Sequence, residues 1–261
     1  MNLLVFDSGI GGLGVVQEIR KLQPDAGIIY LADNAFFPYG EKPDDVLIRR
    51  IMSVIGDAIR MYKPDAVVIA CNTASTIALA ALRAAFALPF IGCVPPIKPA
   101  AAASRSKHIG LLATPATIRR PYLQDLIDKY AADCTIHSLG TPSLAEFAEL
   151  KFWGGDVALA ALSAAVAPLF SQPDGAAIDA IALGCTHYGF LLPDLMQLYP
   201  GIHWSDPALP VARQTCAITA ALAGSAAPVL SLACFTNPLN NLSVTQRKLD
   251  AFRLSAASFF E

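Results

Sequence analysis

The chain lacks the charge imbalance of a nucleic-acid binder. Its 261 residues carry 19 Lys and Arg against 21 Asp and Glu, a formal net charge of −2. No terminal run of cations stands out, so no nucleic-acid partner is expected. C-x-x-C is absent too. The six cysteines stand at 71, 93, 134, 185, 216 and 234, and none has a histidine at zinc-finger spacing, so no metal site is expected. A chain this long and apolar needs no disulfide framework, and free thiols in a cytoplasmic protein are the expectation. The N-terminus, MNLLVFDSG, has no basic n-region and meets an acid at position 7, which argues against a secretory signal. The longest uncharged stretch, Gln214 to Gln246, is broken by Gly224, Pro228 and Pro238. It reads as a helix and a strand and not as a membrane span, so no membrane partner is expected.

What is present is strand–helix alternation. The runs 3–6, 27–32, 66–70, 89–93, 108–113, 134–139, 177–184, 202–204 and 229–235 read as strands. Their apolar character is mostly continuous, which suits strands of a parallel sheet buried on both faces. Helical patterns fit 10–22, 43–61, 74–86, 116–131, 143–149, 155–170, 190–198, 208–223 and 243–254. The class is α/β.

An internal echo divides the chain. One strand ends in Asp7-Ser8 and a later one in Cys71-Asn72-Thr73; in the second half the corresponding ends are Thr114-Pro115-Ala116-Thr117 and Cys185-Thr186-His187. Two similar α/β domains with mostly parallel sheets, facing a central cleft, are the expectation. Their boundaries fall near Pro95-Pro96 and Asp206-Pro207, giving 1–95 plus 208–261 and 96–207. Ligands of such sheets bind at the carboxyl ends of the strands.

Two of those ends carry a cysteine followed by polar residues. In VVIACNTAS the thiol of Cys71 meets a helix N-terminus, which predicts a lowered pKa. In IALGCTHYG, His187 stands two residues after Cys185 and can steady a thiolate or carry its proton. A lone Cys of this kind ordinarily just packs, but two in matched contexts ask for a shared purpose. Redox pairing is one purpose and needs close Cβ atoms. Proton transfer at a stereocentre is the other, with a base on one face and an acid on the other. It requires no metal and no organic cofactor.

The stretch FDSGIGGLGVV fits G-x-G-x-x-G at Gly9, Gly11 and Gly14, the spacing of a dinucleotide turn. Asp33 ends the next strand roughly where a ribose-binding acid would stand. Asp7 at the mouth of the turn would repel a pyrophosphate, and the reading leaves both Cys contexts unexplained. The glycines equally suit a tight turn that brings N–H groups toward a small carboxylate.

The segments DSGIGGLGV (7–15), DNAFFPYG (33–40), ACNTAS (70–75), ATPATI (113–118) and GCTHY (184–188) resemble glutamate racemase, in the family's order and over nearly the whole chain. The resemblance implies a cofactor-independent isomerase that makes D-glutamate for the bacterial cell wall. Cys71 and Cys185 would be the two acid/base residues. Cys71 would take the proton from D-glutamate and Cys185 from L-glutamate, with Asp7 assisting the first and His187 the second. Ser8, Tyr39, Gly40, Asn72, Thr73, Thr114, Thr117 and Thr186 would hold the substrate. Asp33 matches a further acid of the family's site. In TPSLAEFAE (141–149), Pro142 and Glu149 match by position and Glu146 is extra, so Glu149 would be the carboxylate on the Cys185 side. Ala116 stands where the family usually has Gly. The partner would be glutamate as a small molecule, and family members often form homodimers.

Other readings stay open on the residues alone: an aspartate or other amino-acid racemase of the same superfamily, a non-catalytic binder of acidic ligands or inhibitor of a partner enzyme, and a dinucleotide-dependent oxidoreductase. Arg119-Arg120 reads as a solvated helix start. Phe36-Phe37 would pack beneath the Pro38-Tyr39-Gly40 turn. Trp153 with Gly154-Gly155 reads as a loop near the domain boundary or an interface. Cys93, Cys134, Cys216 and Cys234 read as core or incidental.

Overall fold

The computed structural model describes residues 1–222, 228–239 and 241–258. Gly224 and the ends of the expected 208–223 and 208–261 segments lie outside the described residues. The strands are β1 (Asn2–Asp7), β2 (Gly27–Ala32), β3 (Ala66–Ile69), β4 (Phe90–Gly92), β5 (His108–Ala113), β6 (Thr135–Gly140), β7 (Ala180–Gly184), β8 (His203–Ser205), β9 (Ser231–Phe235) and β10 (Ser255–Ser258). The helices are α1 (Gly12–Leu22), α2 (Asp44–Tyr62), α3 (Asn72–Ala85), α4 (Ile97–Ala103), α5 (Pro115–Ile118), α6 (Pro121–Tyr130), α7 (Ser143–Phe152), α8 (Leu159–Phe170), α9 (Leu192–Leu198), α10 (Ala208–Thr219) and α11 (Leu242–Asp250).

The strands form two sheets, ordered β10-β9-β2-β1-β3-β4 and β6-β5-β7-β8, and every pairing among the described residues is parallel. The continuous apolar runs have the predicted cause. In the first sheet Leu3, Val5, Ile28, Tyr30 and Val68 face one core, while Leu4, Phe6, Ile29, Leu31 and Val67 face another. The second sheet is likewise covered on both faces. The segment β2-β1-β3-β4 and the sheet β6-β5-β7-β8 have the same strand order, so the internal echo is one of topology as well as of residues. The chain returns after β8: α10 packs against α1, and β9 and β10 extend the first sheet.

Three elements differ from the sequence reading. The helix expected over 116–131 is two, α5 and α6, because Arg120 precedes Pro121 and is extended; the proline ring disfavours the helical region for its predecessor. Helix α4 was hidden by Pro95, Pro96 and Pro99. Pro99 falls in its first turn, where a missing N–H costs little. Strand β10, with the sequence SAAS, carries almost no apolar signal and is fixed by pairing with β9. Among the described residues no helix is long and apolar enough to cross a membrane.

Candidate functional site

Strand order assembles the site. β1 and β3 are neighbours in register, Phe6 beside Ile69, so Asp7 and Ser8 emerge next to Cys71. β5 and β7 are neighbours with Ala113 beside Gly184, so Thr114 emerges next to Cys185. Both thiols line one cavity with Ser8, Phe37, Tyr39, Gly40, Asn72, Thr73, Thr114 and His187.

Cys71 is the N-cap of α3, and its Sγ accepts from the Ala74 N–H at 3.5 Å. Ser8 Oγ lies 3.8 Å from the sulfur. Burial nonetheless pushes this thiol up, and the neighbouring Asp7 charge pushes it further. The lowered pKa expected from the helix end is overturned, since one N–H contact does not offset full desolvation. Asp7 is itself fully buried. Its Oδ1 accepts from Gly9 N at 3.0 Å and its Oδ2 from the Thr186 hydroxyl at 2.9 Å. Burial still raises its pKa against those donors and against His187.

On the other side, His187 Nδ1 stands 3.9 Å from Cys185 Sγ and 3.9 Å from Asp7 Oδ1, and its Nε2 stands 3.0 Å from Glu149 Oε1. Burial resists charge on this ring, but Cys185, Glu149 and Asp7 together hold its pKa well above the usual histidine value. For Glu149 burial acts upward, yet His187, the Ile10 N–H and the Trp153 indole N–H hold its carboxyl below the usual range. Glu146 is exposed and does not line the cavity.

The donors form the remaining wall. Thr73, Thr114 and Thr117 make a hydroxyl chain, 3.2 Å and 3.0 Å between oxygens. It crosses from α3 to α5. With Ala116 in place, Thr117 N–H still donates to Thr114 Oγ1 at 3.3 Å, so the turn closes without glycine there. Asn72 is 2% exposed, and both ends of its side-chain amide are buried without a partner. Gly40 abuts Thr114: a Cβ at Gly40 would come within 2.8 Å of Thr114 Cβ. The Tyr39 ring lines the cavity, but its hydroxyl donates to Asp33 Oδ2 at 2.6 Å.

Asp33 does not line the cavity. It is paired with Arg50 at 2.7 Å and accepts from the Thr236 hydroxyl at 2.7 Å, so it anchors the Tyr39 turn from behind. Arg120 pairs with Asp44 of α2, tying the start of α6 to the first sheet's helices, and is not the solvated residue expected. Phe37 packs 5.2 Å from the His187 ring, whereas Phe36 lies under Arg50 at 4.6 Å. The glycine turn also finds its cause. A Cβ on Gly11 would come 2.5 Å from His187 Nδ1 and 2.6 Å from Thr186 Oγ1, so the turn is bare because the second sheet's strand end presses on it. All six cysteines are free, with Cys93 and Cys234 buried. Arg50, Thr236 and the Trp153 bond to Glu149 were not found from sequence. They act through contacts between distant segments, and no local spacing announces them.

The profile of the Asp/Glu/Hydantoin racemase family matches residues 14–219. A glutamate racemase of Granulibacter bethesdensis is 53% identical over 228 residues, 87% of this chain and 82% of that protein. The crystal structure of Escherichia coli glutamate racemase, in complex with L-glutamate and the activator UDP-MurNAc-Ala, superposes with a TM-score of 0.90 at 36% identity, covering 98% of this chain and 97% of that one. The Francisella tularensis glutamate racemase, in complex with D-glutamate, gives 0.77 at 25% identity over 98% and 95%. On the extent of these matches, the chain belongs to the Asp/Glu/hydantoin racemase family.

Proposed function

We propose that this protein interconverts L- and D-glutamate without a cofactor, by proton transfer between two thiols. The observation that carries the reading is the pairing of Cys71 and Cys185, which close equivalent strands of like-ordered sheets and line one cavity. One thiolate removes the α-proton and the other thiol delivers a proton to the opposite face. Asp7 and Ser8 serve Cys71, while His187 and Glu149 serve Cys185. In the free site burial and the Asp7 charge both favour the neutral thiol of Cys71 over its thiolate. A substrate ammonium arriving beside it supplies the positive charge that favours the thiolate.

The carboxylates fit the neutral donors. Ser8, Asn72, Thr73, Thr114, Thr117, Thr186 and the Tyr39-Gly40 main chain are the binding set. The unpartnered Asn72 amide is the group most in need of a ligand. Glutamate is favoured as substrate by the similarity to the glutamate racemases above.

The same reading divides the chain into 1–95 plus 208–261 and 96–207, each with one sheet and the cavity between. It places the enzyme in the cytoplasm, supplying D-glutamate for peptidoglycan. A homodimer, expected from the resemblance, is checked by sedimentation.

The test is proton NMR in D₂O with no added cofactor, supplying L- and then D-glutamate, and aspartate in parallel. Loss of the α-proton signal with inversion is expected for glutamate. Cys71→Ser and Cys185→Ser should each lose about 10³-fold or more in turnover. No exchange with any amino acid would sink the proposal.

A further inference from the structure

Trp153 is not accounted for by the two-thiol scheme. It follows the last turn of α7, four residues after Glu149, and its indole N–H donates to Glu149 Oε2 at 2.9 Å. The other carboxylate oxygen, Oε1, accepts from the Ile10 N–H at 2.7 Å and faces His187 Nε2 at 3.0 Å. The indole does not move freely. Its ring meets Phe152 edge-on at 4.8 Å and Phe235 of β9 at 6.2 Å. Phe235 belongs to the first sheet and Glu149 to a helix covering the second, so the indole is seated on one half while it holds a carboxylate of the other.

We propose that Trp153 is a positioning residue for the Cys185 side of the site, fixing the Glu149 carboxylate so that Oε1 stays on both His187 and Ile10. The assignment rests on the racemase reading above. Among the described residues the indole N–H is the one hydrogen-bond donor to Oε2, so its removal leaves that oxygen without a hydrogen bond. A mostly buried carboxylate then turns to recover one, and the Oε1 contacts loosen. The His187 ring, which otherwise touches Cys185, Asp7 and Glu149, loses its fixed orientation. Trp153 touches neither thiol and acts through Glu149 alone.

The test is a double-mutant cycle on the full chain. Trp153→Phe keeps the aromatic packing and removes the donor. It should lower kcat on the order of tenfold, the scale of one hydrogen bond to a charged group, with KM changed less than about twofold. The acid limb of the pH–rate profile should move upward, because a partial positive charge leaves the His187–Glu149 pair. In a Glu149→Gln background the same substitution should change kcat less than about twofold. A second measurement uses the unaltered protein without substrate: the Trp153 indole N–H resonance should shift as the His187–Glu149 pair titrates, and that of Trp204 should not. An equal loss in both backgrounds, or an indole resonance indifferent to that titration, overturns the proposal. A wild-type protein inactive on glutamate overturns the function and leaves the NMR result to decide the role of Trp153.

Discussion

The Thr186 hydroxyl donates to Oδ2 of Asp7 over 2.9 Å, joining the end of β7 to the end of β1. The two sheets therefore meet through a buried carboxylate, and the energetics of Asp7 belong to both halves at once. Its pKa is raised mainly by burial. The protonated form thus contributes stability fully present below the unfolded value of about 3.8. That contribution is lost as pH rises through the higher folded value.

Asp7→Asn imitates the protonated state. Its Tm should exceed that of the wild type near about pH 8, and the gap should close as pH falls toward about 4. Differential scanning calorimetry across that range decides it. A gap that grows on acidification would contradict the burial argument. Turnover should fall in the same variant, since the charge beside Cys71 is gone.

Gly11 and Gly14 should behave oppositely. Gly11→Ala places a Cβ against His187 and Thr186, so it should cost about 2 kcal/mol or more and most of the turnover. At Gly14, inside α1, a Cβ would meet only Ala208 at 3.8 Å. Gly14→Ala should stabilise by about 0.5–1 kcal/mol and leave activity intact. Chemical denaturation reads both. Equal damage at both positions would favour a glycine-rich phosphate turn instead.

Tyr39→Phe separates two roles for one ring. Its hydroxyl is committed to Asp33, so the variant should lose about 1 kcal/mol of stability with KM nearly unchanged. A tenfold rise in KM, about 1.4 kcal/mol, would mean that the hydroxyl binds substrate.

Asp33→Ala should be far worse, because Arg50, Tyr39 and Thr236 all lose their partner. Arg50 keeps partial access to water, so the loss comes mainly from the hydroxyls and the guanidinium left without their acceptor, about 2 kcal/mol or more, which urea unfolding should record together with reduced turnover from a loosened Tyr39 turn.

Much of this was legible because it is local. Continuous apolar runs such as Leu3 to Phe6 and Ala66 to Ile69 announce strands buried on both faces, and a Cys with polar followers at two such ends announces a shared site. Three kinds of feature stayed hidden. Proline spacing concealed α4, because a helix start and a helix break use the same residue. The Arg50–Asp33 and Trp153–Glu149 contacts form only when the fold is complete. The pKa of Cys71 went the other way from its helix-end context, because burial is set by everything around a residue and a cap by its neighbours in sequence.

The shared strand order of the two sheets has a thermodynamic corollary. Enantiomers have equal free energies, so detailed balance fixes the ratio of kcat/KM in the two directions at unity. The walls that hold Cys71 and Cys185 are alike in topology but unlike in what stands beside each thiol, a carboxylate and a hydroxyl on one and an imidazole with a carboxylate on the other. A substitution confined to either wall must slow both directions by the same factor in kcat/KM. The unlikeness of the two walls can surface only in how each direction divides that loss between turnover and saturation.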